Sequence, residues 1–157
     1  MKRITLISAF FVTLGFLLLP VVTLKRNVFN DAMSCRGVVK FHKEGQVLSF
    51  SVKQEFHKGK GIVILSGVLY RGNAVQGYIS KTVSFHYVKN GGFYSLTSDG
   101  IIDSPQITMS IQEQKRWLPL FFSQTGKTLN LEIDHQGLSG WVVSADSVPL
   151  YLCEKSD

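Results

Sequence analysis

From Gln46 onward the chain alternates between apolar and polar residues. Leu48, Phe50, Val52 and Phe56 fall on one side of an extended segment and Ser49, Ser51, Lys53 and Glu55 on the other. A period of two predicts a strand with one buried face. Residues 36–42 predict a strand before it, turning at Lys43-Glu44-Gly45, and His57-Lys58-Gly59-Lys60 is the turn after it. Residues 61–70 are nearly continuous in apolar side chains, which predicts a strand covered on both faces. After Arg71-Gly72-Asn73 comes a long strand over 74–88. There Val75, Ile79, Val83, Phe85 and Tyr87 alternate with Gln76, Ser80, Thr82, Ser84 and His86, and Gly77 predicts a bulge or bend.

Asn90-Gly91-Gly92 supplies positive φ cheaply and predicts a hairpin into a strand over 93–97. Ser98-Asp99-Gly100 and Asp103-Ser104-Pro105 bound a loop. Ile107, Met109 and Ile111 then alternate with Thr108, Ser110 and Gln112 as a further strand. Glu113 to Arg116 can open a helical turn that Pro119 ends, and 120–123 reads as a short strand. Residues 128–134, 140–144 and 150–154 give the last three strands, separated by His135-Gln136-Gly137 and Ser147-Val148-Pro149. About nine or ten strands with little helix predict a mostly β domain, an antiparallel barrel or sandwich. No internal repeat or second globular domain interrupts it.

The opposite pattern precedes this domain. Residues 4–24 carry no charged side chain and lie between two basic pairs, Lys2-Arg3 and Lys25-Arg26. As a helix this run spans roughly 30 Å, the thickness of a bilayer's hydrocarbon. A cleaved secretory signal is the competing reading, but its apolar core is usually shorter, about 7–15 residues, and ends in small-x-small. Here the run ends in Pro20-Val21-Val22-Thr23-Leu24, and Cys35 lies too far past it for a lipoprotein site. The expectation is a single transmembrane helix, with a cytoplasmic tail at 1–3, the helix at 4–24, a linker at 25–33 and a β domain at 34–157.

The basic residues on the two sides of the run do not by themselves fix its orientation. The two cysteines bear on it. Cys35 follows the linker and Cys153 lies just before the chain's last residues, well placed to tie the first and last strands together. Such a disulfide persists only in an oxidising compartment; two unpaired buried thiols are the alternative. Anchor and cysteines together favour a bacterial inner-membrane protein with its carboxy-terminal domain in the periplasm.

The net charge of +6 suggests nucleic acid until the charges are located. Four of the seventeen basic residues flank the apolar run, leaving thirteen against eleven acidic ones, an ordinary surface with no direct nucleic-acid contact implied. Lys58-Gly59-Lys60 and Lys115-Arg116 are short clusters rather than a phosphate-binding stripe. Gly126-Lys127-Thr128 lacks the earlier glycine of a phosphate-binding loop, and Gly137-Leu138-Ser139-Gly140-Trp141 lacks the final glycine of a nucleophile elbow. His42, His57, His86 and His135 stand singly, and Glu132 with Asp134 is the one close carboxylate pair on a strand face. The sequence therefore implies no enzyme, no metal and no cofactor. The many aromatic residues fill a core or, in a small barrel, line a space for an apolar ligand.

The layout and the closing segment GKTLNLEIDHQGLSGWVVSADSVPLYLCEK, Gly126 to Lys155, resemble the FidL-like inner-membrane proteins of enterobacteria. No motif in that segment is catalytic. The resemblance implies an accessory protein, a counterpart of ToxS and VtrC, that pairs with the periplasmic domain of a membrane-bound winged-helix transcription regulator of the ToxR or VtrA type. It further implies a lipocalin-like barrel completed by the partner and able to bind a bile salt or other amphiphile such as a fatty acid.

Overall fold

Turn chemistry sets the register of the sheet. Glu44 and Gly45, Lys58 and Gly59, and Asp146 and Ser147 each form a two-residue turn in which both φ angles are positive. That geometry matches the twist of the strands it joins. A computed structural model describes residues 32–137 and 139–156 of the chain. Eight antiparallel strands follow one another: β1 (Ala32–Lys43), β2 (Gln46–His57), β3 (Lys60–Arg71), β4 (Ala74–Asn90), β5 (Phe93–Asp103), β6 (Thr128–Gln136), β7 (Gly140–Ala145) and β8 (Val148–Lys155). Each pairs with the next, and β8 returns to β1 to close a barrel. The one long connection, between β5 and β6, carries helix α1 (Ile111–Trp117) and a 3-10 turn (Leu120–Phe122).

Alternation decides the interior. Leu48, Phe50, Val52 and Phe56 of β2 point inward as expected and meet Val63, Leu65 and Leu69 of β3 and Ile79, Val83, Phe85 and Tyr87 of β4. Phe56 packs edge-on against Phe85, Tyr87 and Tyr94 at ring-centre distances of 5.1, 5.2 and 5.5 Å. Edge-to-face contacts of this kind add to the gain from burial.

Several expectations are corrected. The barrel has eight strands rather than nine or ten, and it closes on itself, so the sandwich alternative does not apply. β3 is buried on one face only: Ile62 and Ile64 look outward, 43% and 39% exposed. β5 does not end at Ser98 but runs to Asp103, because Asp99 is absorbed as a bulge between the pairs Phe85↔Ser98 and Ser84↔Gly100. The bulge expected near Gly77 is present, with Gln76 as the extra residue between Leu69↔Gly77 and Tyr70↔Val75. Val75 accordingly leaves the inward row and is exposed.

The strands expected at 107–112 and 120–123 are absent. Ser110 caps α1 by accepting from the Glu113 amide at 3.2 Å, one half of a capping box that the alternation of Ile107, Met109 and Ile111 concealed. β1 begins at Ala32, inside the expected linker. The helix at 4–24 and its flanks Lys2, Arg3, Lys25 and Arg26 lie outside the described residues. Among the described residues no helix is long and apolar enough to cross a membrane.

The cysteines do pair: Cys35 and Cys153 form a disulfide with a Cα–Cα distance of 5.4 Å across a sequence separation of 118. Constraining so long a loop in the unfolded chain contributes about 5 kcal/mol in the chain-entropy account. Replacing both cysteines by serine should therefore lower the unfolding free energy by roughly 3–5 kcal/mol. Denaturant titration of both proteins, with and without reductant, checks this: reductant should shift only the parent.

Candidate ligand cavity and barrel seam

The inward rows leave a space. Val39 and Phe41 of β1, Phe50, Val52 and Gln54 of β2, Val63 and Leu65 of β3, Leu96 of β5, Leu129 and Leu131 of β6, Ala145 of β7 and Leu150 and Tyr151 of β8 surround a cavity of about 200 Å³. Leu118, Pro119, Phe121 and Phe122 close it from the β5–β6 connection. Among the described residues no charged side chain lines it.

Its polar groups come together at one corner. The Tyr151 hydroxyl donates to Gln54 Oε1 at 3.1 Å, and Gln54 Nε2 reaches both sulfurs of the disulfide at 3.5 Å. Desolvation pushes the Tyr151 phenol well above its ordinary value of 10.0, opposed only in part by the Gln54 hydrogen bond. The hydroxyl is therefore a neutral donor throughout the physiological range. Leu150 lines the cavity and is still partly exposed, so the space reaches the surface. Leu150 is the extra residue of a bulge between Val143↔Tyr151 and Ser144↔Pro149, which re-aims its side chain.

The cover over the barrel is tied down at both ends. On leaving β5 it follows β4, with the Ser104 amide donating to Ser80 O and those of Thr108 and Met109 to Tyr78 O, at 3.0–3.2 Å. On its return the buried Ser98 holds it: Oγ donates to Gln124 O at 2.8 Å and accepts from the Lys127 amide at 3.2 Å. Trp117, Leu118 and Phe121 are buried beneath the cover. Its 3-10 turn brings Phe121 to a ring-centre distance of 6.0 Å from Phe85. Little in the residues foreshadows this plug, because Leu120 to Ser123 is too short to show a period.

The barrel's seam is the second notable feature. β2 and β3 pair over twelve residues each, whereas among the described residues β8 and β1 pair at Cys35↔Lys155 and Arg36↔Glu154, with the Ser156 amide reaching Ser34 O at 3.1 Å. Gly37 follows at once, and a Cβ there would lie 2.5 Å from the Tyr151 ring and 2.7 Å from Leu152 O. Glycine thus permits the last close approach before the ladder stops. Beyond it Val38, Val148 and Leu152 look outward, 63%, 60% and 50% exposed.

Other candidate chemistry stays dispersed. His86 bonds Asp99 at 2.6 Å on the exterior, while His42, His57 and His135 are exposed and separate. Glu132 and Asp134 lie on the outer face of β6, and Gly126, at φ 73°, turns the chain into that strand. Among the described residues no three His, Cys, Asp or Glu side chains gather as a metal site. Lys81, which the sequence reading passed over, is 4% exposed on the inward row of β4 and forms an ion pair with Asp103, its cross-strand partner. This pair is not part of the cavity wall.

Two outcomes are expected. Ala145→Val should fill part of the cavity and stabilise the domain by about 1 kcal/mol, read as a higher denaturant midpoint at unchanged slope. Because the Tyr151 phenol is raised on folding, the stability it confers is full below about pH 10 and is lost as pH rises beyond that value. Stability measured from pH 8 to 12 should fall more steeply for the parent than for Tyr151→Phe.

No curated protein matches the chain at a meaningful level. The family model of the YqeJ C-terminal domain matches residues 32–153, which span the disulfide-closed barrel from the start of β1 to Cys153. By that match, the chain belongs to the YqeJ C-terminal domain family.

Proposed function

We propose that this chain is a non-catalytic accessory protein, held at the bacterial inner membrane by residues 4–24, whose periplasmic barrel binds the sensor domain of a membrane-bound winged-helix transcription regulator and stabilises or modulates it. The observation that carries this reading is the short β1–β8 ladder with apolar side chains exposed beside it. A short join flanked by outward Val38, Val148 and Leu152 suits a partner that covers it by apolar contact. The likeness of Gly126 to Lys155 to FidL-like proteins supports the class of partner.

The position of the seam fits as well. Seven residues separate Leu24 from Ala32, so β1 lies at most about 25 Å of extended chain from the end of the apolar run. Two proteins tethered in one membrane meet at high effective concentration, and a modest contact suffices. A second reading is favoured by a separate observation, the apolar cavity with its polar corner: the barrel binds a small molecule and senses it, alone or with the partner.

Photo-crosslinking in cells tests the first reading. A crosslinker at position 38 or 152 should capture a single-pass winged-helix protein, and one at position 51, on the outer face of β2, should not. Leu152→Arg should weaken the association at least tenfold, a cost of about 1.4 kcal/mol or more, without lowering the melting temperature. Undiminished association in that variant, or a regulator whose level and output ignore deletion of this chain, contradicts the reading.

A further inference from the structure

The cavity's chemistry specifies more than an apolar occupant. Its wall is hydrocarbon and aromatic, and its polar atoms are the neutral amide of Gln54 and the neutral hydroxyl of Tyr151. Gln54 Nε2 spends its donors on two sulfurs at 3.5 Å, which are weak acceptors. An oxygen acceptor placed at this corner improves on them, and the Tyr151 oxygen keeps lone pairs for a donor. Among the described residues no lysine, arginine or histidine lines the cavity to neutralise an anion. A carboxylate or sulfonate buried there would be an unpaired charge in a medium of low dielectric.

Size adds a second limit. An apolar cavity of about 150 Å³ stays dry and takes benzene, whereas sites for drug-sized ligands run from about 300 to 1,000 Å³. This cavity, at about 200 Å³, lies nearer the first. We propose that the barrel binds a small, uncharged amphiphile, with a single-ring or short-chain apolar body and one hydroxyl or amide head, its head on Gln54 and Tyr151 and its body against Val63, Leu65 and Leu131. This inference rests on the small-molecule reading of the barrel and names the ligand class. It also means that an ionised head is disfavoured at the Gln54–Tyr151 corner itself.

Three probes of similar size separate the possibilities: p-cresol, which is neutral with a hydroxyl head, toluene, which has no head, and p-toluate, which is ionised at pH 7. The full chain in lipid nanodiscs is titrated with each, and the methyl resonances of Val63, Leu65 and Leu131 are followed. Those methyls are buried in the interior, so probe dissolved in the lipid does not move them. p-Cresol should shift them saturably, with p-toluate at least tenfold weaker. Tyr151→Phe should weaken p-cresol several-fold and leave toluene unchanged. If p-toluate binds as tightly as p-cresol, the neutral-ligand inference fails while the small-molecule reading stands. If no probe moves the methyls, both fail. The parent titrations decide between these outcomes even if Tyr151→Phe does not fold.

Discussion

One covalent bond holds the weakest join in the barrel. The other seven strand pairs are neighbours in sequence, linked by tight turns or, for β5 and β6, by the cover. β1 and β8 meet from opposite ends of the domain, their cysteines separated by 118 positions in sequence. Among the described residues their backbone ladder is short, too short to offset the entropy of closing so long a loop. The Cys35–Cys153 bond supplies that closure, and both sulfurs are fully buried. Ser156 extends the join beyond Lys155 through its amide to Ser34 O at 3.1 Å and its hydroxyl to the Ser34 hydroxyl at 2.8 Å.

The cavity depends on the same bond. Gln54 touches both sulfurs and accepts from Tyr151, so the polar corner is assembled on the disulfide. Leu150, the neighbour of Tyr151 on β8, lines the same space. The exposed apolar side chains and the cavity therefore adjoin along β1 and β8. The cover on the opposite approach is fixed to β4 through Tyr78 and Ser80 and to β5 through Ser98, which keeps Phe121 in the interior.

Much of this was legible in the residues, for physical reasons that differ by element. Strands β2 and β4 announce themselves because a half-buried strand must alternate, and the turns at Glu44-Gly45 and Lys58-Gly59 because positive φ favours glycine. The two cysteines at the ends of the domain pointed to the closing bond. β5 was cut short because Ser98, Asp99 and Gly100 are turn-forming types, and a bulge uses the same residues without ending the strand. The outward isoleucines of β3 look like core in a linear sequence; only the sheet shows which face has a cover. The Gln54–Tyr151 contact joins residues 97 positions apart and leaves no local pattern, and the depth of the β1–β8 ladder is likewise a property of closure alone.

Amide hydrogen exchange on oxidised and reduced protein tests the role of the seam most directly. The oxidised protein should protect Val52 and Leu65 strongly and residues 38–41 and 150–152 weakly, and reduction should strip protection from β1 and β8 while β2, β3 and β4 retain theirs. Uniform protection around the barrel, or a loss on reduction that spreads equally over all eight strands, would contradict a barrel whose weakest join is held by the disulfide.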